Sequence, residues 1–231
     1  MVAEKLPNCY ATALGGCAGR RSAEHPISRA LLLRLGAMEV EAPWLPGGRR
    51  SMTESTLKTR VLCEKHNGML SPYDAEVCKL FDLIAASSRK ELKGWHTLNG
   101  GHIERWALKL MFADVAAGKY HAPDGERRAE HPPIEWLRVL FEGAPMPARC
   151  GFHYCAKPCK EIDAAVAVGS FYNITPPHDR FPNTLHGVTV VLLGFWFVTS
   201  MAPLDVEGWS VDYRPTEFGS WDTSAGFRLA W

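Results

Sequence analysis

The sequence predicts an α+β fold in three stretches: a metal-bearing N-terminal module, a helical middle and a C-terminal antiparallel β region. Three observations carry this. Cysteines and histidines able to serve as metal ligands crowd a Gly-rich first third. Apolar residues then recur at helical spacing, and after about residue 148 the chain turns β-branched and aromatic, broken by Gly, Pro and Asn. The expected divisions are 1–75, 76–145 and 146–231.

Residues 9–25, "CYATALGGCAGRRSAEH", read as loop and turn. "SRALLLRLG" follows, with Ser28 as a helix N-cap and Gly36 as its left-handed stop. Residues 41–50 are a Pro/Gly loop, and "STLKTRVLC" alternates weakly as a strand leading into Cys63. A helix is expected from Ser71, with Pro72 at its first position and Asp74 three residues after Ser71. Val77, Leu80, Phe81 and Ile84 give it an apolar stripe. A second begins near Gly101, striped by Ile103, Trp106, Ala107, Leu110, Met111 and Val115 and closed by Gly118. A short third follows Pro133. "TLNGG", between His96 and His102, reads as a turn and cap ahead of the second helix. "DAAVAVGSFYNI", "HGVTVVLLGFWFVTSM", "GWSVDY" and "FRLAW" are strands, with Gly194 at a bulge or tight bend.

Composition narrows the function classes. Hydrophobic residues make up 46% and charged residues 22%, a globular balance that argues against disorder. The longest apolar run, Val188 to Val198, is too short to span a bilayer, so no membrane partner is expected. The N-terminus lacks a basic start followed by an apolar core, so a cytoplasmic location is expected. Seven cysteines there are thiols or metal ligands. The net charge is +1, yet residues 1–68 carry 10 Lys/Arg against 6 Asp/Glu. A basic start fits a nucleic-acid-facing module, and equally fits ordinary surface scatter.

The stretch "VLCEKHNGMLSPYD" places Cys63, His66 and Asn67 within five residues. Cys63 and His66 have the C-x2-H spacing of one metal knuckle, and a closed tetrahedral site needs a second pair. Cys9 and Cys17, the only upstream cysteines, are the candidates, although their separation is wider than that of a usual knuckle. Between the pairs lies "SAEHPIS".

Two Cys, then "EH" at 24 and 25, then "LCEKHN" at 62–67, resembles the zinc-stabilised branch of the HNH (ββα-metal, treble-clef) endonucleases, over about residues 9–75. The resemblance implies that Cys9, Cys17, Cys63 and His66 hold a structural Zn²⁺. It implies His25 as the general base, with Glu24 and Asn67 as ligands of a catalytic Mg²⁺ or Mn²⁺. Two departures stand: the wide first Cys pair, and His in place of the fourth Cys. No residue clearly matches the last letter of HNH; Asp74 and Glu76 lie at plausible distances. Phosphodiester hydrolysis needs a base near neutral pKa and a cation, which these residue types supply. Arg20, Arg21, Arg29, Arg49, Arg50, Lys58, Arg60 and Lys65 surround the motifs and can contact phosphates without reading sequence.

The expected function is therefore a metal-dependent HNH endonuclease acting on DNA, of a kind found in phage, mobile elements and phage defence. The β region would set substrate, partner or oligomer, including a homo-oligomer or a larger defence complex. The alternative is a catalytically silent, zinc-stabilised module that binds nucleic acid or protein. A second group, Cys150, His153, Cys155 and Cys159, has no familiar knuckle spacing and reads as a strand edge with incidental thiols.

Overall fold

The computed structural model describes residues 9–41, 47–119, 131–155, 166–172, 185–204, 211–219 and 225–231. These form two compact units, Met1–Asp74 with Lys109–Ala144, and Ala75–Leu108 with Pro145–Trp231. The helical middle is thus divided between the two.

In the first unit a 3-10 turn, Tyr10–Leu14, precedes strand β1, Arg21–Glu24. Helix α1, Arg29–Leu35, leads to a small hairpin of β2, Met38–Glu41, and β3, Arg49–Met52. Strand β4, Thr59–Cys63, returns antiparallel to β1 and runs straight into α2, Glu64–Met69. Only Leu70 separates α2 from α3, Ser71–Ser88. The unit also takes the start of α3, the end of α4, Gly100–Ala116, and α5, Ile134–Phe141.

Its core is built from the faces the pattern marks as apolar. Leu62 and Leu70 are fully buried, as are Leu137 and Leu140 on α5. The Tyr10 ring meets Phe112 edge-on and Phe141 at a tilt. A satellite cluster of Leu32, Met52 and Leu57 packs with Ile27, Met38 and Val40.

Two caps differ from expectation. Ser28 directly precedes α1 but makes no capping bond; its hydroxyl donates to Asp74. Asp74 accepts from Lys109 as well. An ammonium brought close by another helix outcompetes an ordinary capping interaction, because the charged partner gains more from the bond.

The second unit contains strand β5, Gly94–Asn99, where the sequence reads as a turn. The reason is visible in its burial: only Leu98 is buried, so the alternation is too weak to announce a strand. Its neighbours are β6, Gly151–Cys155; β7, Val166–Tyr172; β8, Leu185–Leu192; β9, Phe195–Ser200; β10, Val211–Tyr213; β11, Glu217–Gly219; and β12, Ala225–Ala230. A five-stranded antiparallel sheet has the order β10-β6-β9-β8-β7. A three-stranded sheet has the order β11-β12-β5, and β12 pairs β5 in parallel, a departure from a purely antiparallel C-terminal region.

Leu193 and Gly194 both have positive φ, 48° and 83°, the two-residue turn that matches strand twist. Gly194 is thus the tight bend, joining β8 to β9 with Leu192 opposite Phe195. Strand β6 lies between β10 and β9, so Cys150, His153 and Cys155 do not mark a sheet edge. His153 Nδ1 is 2.9 Å from the Gly151 carbonyl. Cys159 lies outside the described residues. No helix among the described residues is long and apolar enough to cross a membrane.

Candidate metal centre

Three segments deliver four ligand atoms to one point in the first unit. Cys9 precedes the 3-10 turn, Cys17 follows it, and Cys63 and His66 span the junction of β4 with α2. His66 Nδ1 lies 3.5 Å from Cys9 Sγ, 3.7 Å from Cys17 Sγ and 3.2 Å from Cys63 Sγ. All four ligand atoms lie within 4.8 Å of one another, and all four residues are buried. A tetrahedral ion with ordinary Cys and His bond lengths puts its sulfur and nitrogen ligands about 3.5 Å apart. The cluster can therefore hold a metal ion in a closed site.

The wide gap between Cys9 and Cys17 is closed locally. The 3-10 turn folds the intervening chain back, with Thr12 N donating to Cys9 O and Gly15 N to Thr12 O. The following residues run beside the start of α2, where Glu64 N donates to Arg20 O and Lys65 N to Ala18 O. Gly19 is required there: its φ is 76°, and a Cβ would sit 2.3 Å from Glu64 Oε2.

Burial and main-chain amides pull the thiols of the cluster in opposite directions. Burial pushes the Cys9 thiol up to about 12, even though the main-chain N–H groups of Cys63 and Ala11 work against it. Burial also raises Cys63, but the N–H groups of His66 and Ala18 outweigh it, and its pKa is lowered overall. The His66 pKa is lowered, by burial and then by Lys65, which keeps the imidazole in its ligating neutral form. Its ring packs against Phe141, with centroids 5.2 Å apart.

The residues implied for catalysis lie beyond this cluster. Glu24, the last residue of β1, turns inward and is 1% exposed. Neither carboxylate oxygen has a hydrogen-bond partner. Burial, opposed by Lys109 and reinforced by Asp74 and Asp114, raises its pKa to about 7. His25 follows immediately and is partly exposed, with Nε2 3.1 Å from the Glu54 carbonyl oxygen. An N–H donating there leaves Nδ1 as the accepting nitrogen. The His25 pKa is lowered, chiefly by burial. Asn67 on α2 donates from Nδ2 to Ser22 Oγ at 2.8 Å, fastening α2 to β1. The described hydrogen bonds do not join Glu24, His25 and Asn67 to one another, although the Lys109 charge bears on both Glu24 and His25.

All eight basic residues singled out in the sequence are exposed. Arg29 pairs with Glu54, Arg49 with Glu39, and Arg21 donates to the Arg60 carbonyl. Sequence reasoning missed Lys109, 2% exposed with Nζ 2.6 Å from Asp74 Oδ1. The signal was present: a lone charge inside the run "WALKLMF", on a helix that buries both flanking leucines. No protein-family model, curated protein or solved structure matches the chain.

Proposed function

We propose that the chain is a zinc-stabilised HNH-type endonuclease acting on nucleic acid, with DNA as the expected substrate. One observation carries this reading. The β1–β4 pair runs into α2 beside a closed Cys3His cluster, with His25 at the exit of β1 and Asn67 on the helix. That is the order of parts a ββα-metal nuclease uses. The buried thiols and imidazole favour Zn²⁺, which takes Cys3His ligands in closed structural sites. Its contribution is to fix a segment with few apolar residues of its own.

In this reading His25 Nδ1 takes a proton from the attacking water while Nε2 stays anchored on the Glu54 carbonyl. Glu24 fits a divalent-ion ligand, because its two oxygens are hard donors left without partners. Such an ion, when bound, supplies stabilisation of the charge that builds on the phosphate. Asn67 positions α2 through Ser22. The exposed arginines and lysines attract the phosphate backbone.

A second reading, a catalytically silent zinc-stabilised binding module, is favoured by one feature: the Glu24 carboxylate is sealed from solvent. One experiment separates the two. Purified protein is incubated with plasmid DNA and Mg²⁺ or Mn²⁺ beside His25→Ala. Cleavage by the parent and a loss of roughly a hundredfold or more in the variant is expected for a general base. Absence of cleavage of DNA and RNA across both metals, with binding retained, supports the silent module.

A further inference from the structure

The eight basic residues around the cluster are not equivalent once the strands pair. Three are answered by acids. Arg29 lies 3.1 Å from Glu54. The hairpin of β2 and β3 sets Glu39 and Glu41 against Arg49 and Arg50, with Arg49 Nε 3.4 Å from Glu39. The other five, Arg20, Arg21, Lys58, Arg60 and Lys65, fall in residues 15–23 and 58–66, whose one acid is Glu64. All five are exposed. Among the described residues, Arg20, Lys58, Arg60 and Lys65 have no ion-pair partner.

The fold draws these five together. Strands β1 and β4 pair with Arg21 opposite Cys63, and the Arg21 guanidinium donates to the Arg60 carbonyl at 2.7 Å. Lys58 and Arg60 alternate with buried Thr59, so both turn to solvent. Past the end of β4, the Glu64 N–H donates to the Arg20 carbonyl and the Lys65 N–H to that of Ala18. The Lys65 ammonium lies over the Gly-rich loop, 2.9 Å from where a Cβ on Gly16 would sit. Lys65 also stands between the ligands Cys63 and His66, so the cluster fixes its place in the chain.

Cations gathered with so little acid repel one another, and a polyanion relieves that repulsion. No aromatic residue occurs in 15–23 or 58–66, so these segments offer no ring on which unpaired bases could stack. They suit phosphates, which carry no sequence information. We propose that Arg20, Arg21, Lys58, Arg60 and Lys65 form the face on which duplex DNA docks through its phosphates, and that Arg29, Arg49 and Arg50 lie outside it. This rests on the nucleic-acid part of the function proposed above but not on cleavage, and it applies equally to a silent binding module.

The test is the salt dependence of binding, read by fluorescence anisotropy of a short labelled DNA duplex. The zinc-loaded full chain is used with no Mg²⁺ or Mn²⁺ added, so that no strand is cut. Five phosphate contacts predict a slope of log affinity against log salt of about −4 to −5 for the parent. Lys58→Ala, Arg60→Ala and Lys65→Ala should each make it shallower by about 1, and weaken binding equally on unrelated sequences. Arg60→Lys should keep the parent slope, because the contact needs only the charge. Lys93→Ala removes an exposed lysine from the second unit and should not move it. Lys58 lies outside the Cys63–His66 knuckle, so its variant still reports if Lys65→Ala disturbs the cluster. No duplex binding by the parent overturns the face. Equal shifts in Lys93→Ala and Arg60→Ala overturn it too, since net charge alone would then account for binding. Binding with the expected slopes but no cleavage on adding Mg²⁺ or Mn²⁺ counts against the nuclease alone. Cleavage by the parent, with a slope unmoved in all three alanine variants, counts against this face alone.

Discussion

At the scale of single residues, Lys109 and Asp114 on helix α4 are both charges taken out of water, and each is handled differently. Lys109 is buried against Asp74 and keeps an ion-pair partner. Asp114 is pushed up to about 6 by burial, with Lys119 opposing the shift. The sign of the resulting pH dependence follows directly. The folded protein holds the Asp114 proton more tightly than the unfolded chain, so ionising it costs stability. That cost is absent below about pH 4, grows to about pH 6 and is complete above it, reaching at most about 3 kcal/mol. Asp114→Asn removes the cost. Urea unfolding of the two proteins should show the variant gaining on the parent between pH 4 and pH 7; a constant difference across that range would contradict the assignment. Lys109 also shows why such sites are hard to read from sequence. The run around it announces burial, but nothing in one dimension says that Asp74, thirty-five residues earlier, supplies the counter-charge. Cys63 and His66 were legible because a thiol and an imidazole at knuckle spacing have few other uses, whereas Cys9 and Cys17, too far apart for a usual knuckle, stood out only as the upstream cysteines.

At the scale of elements, the second unit is pinned by one carboxylate. Glu104 on α4 is fully buried, accepts the Phe152 N–H at 2.7 Å and takes both Nε and Nη2 of Arg214. Arg214 in turn lies over the rings of Tyr213 and Trp231. One side chain therefore ties the start of α4, the start of β6 and the turn after β10. Gly151 makes the contact possible: its φ is 107°, and a Cβ would fall 2.1 Å from Glu104 Oε2. The helix itself was legible from its apolar stripe, whereas this clamp joins residues over a hundred positions apart and leaves no local pattern. Glu104→Ala strands the Arg214 charge and a buried N–H, and should cost about 3–5 kcal/mol in chemical denaturation. Because the two partners form one unit, Glu104→Ala with Arg214→Ala should cost clearly less than the sum of the single variants. Additive losses would show that the pair does not act as a clamp.

At the scale of the whole molecule, the two units differ in what holds them. The second has two sheets and a run of aromatic rings in contact, Tyr154, Phe195, Phe218 and Phe227 among them, some stacked and some tilted. The first gathers two-stranded sheets and short helices around the Cys9, Cys17, Cys63 and His66 cluster. Three of the segments in that unit, the 3-10 turn, β4 and α2, converge on the cluster and have no larger sheet to join. A metal there contributes folding energy outright, because the unfolded chain cannot preform the site. Stripping the metal with a strong chelator should therefore act on one unit. Peptide-resolved hydrogen exchange is the direct measurement. Protection should fall across residues 9–41, 47–74, 109–119 and 131–144 and persist in 145–155 and 185–204. Cys63→Ala should reproduce the pattern without a chelator and bind no full equivalent of zinc. Equal loss of protection in both units would mean that the metal organises the whole chain, and unchanged protection in both would mean that the cluster is four buried side chains with no ion to hold.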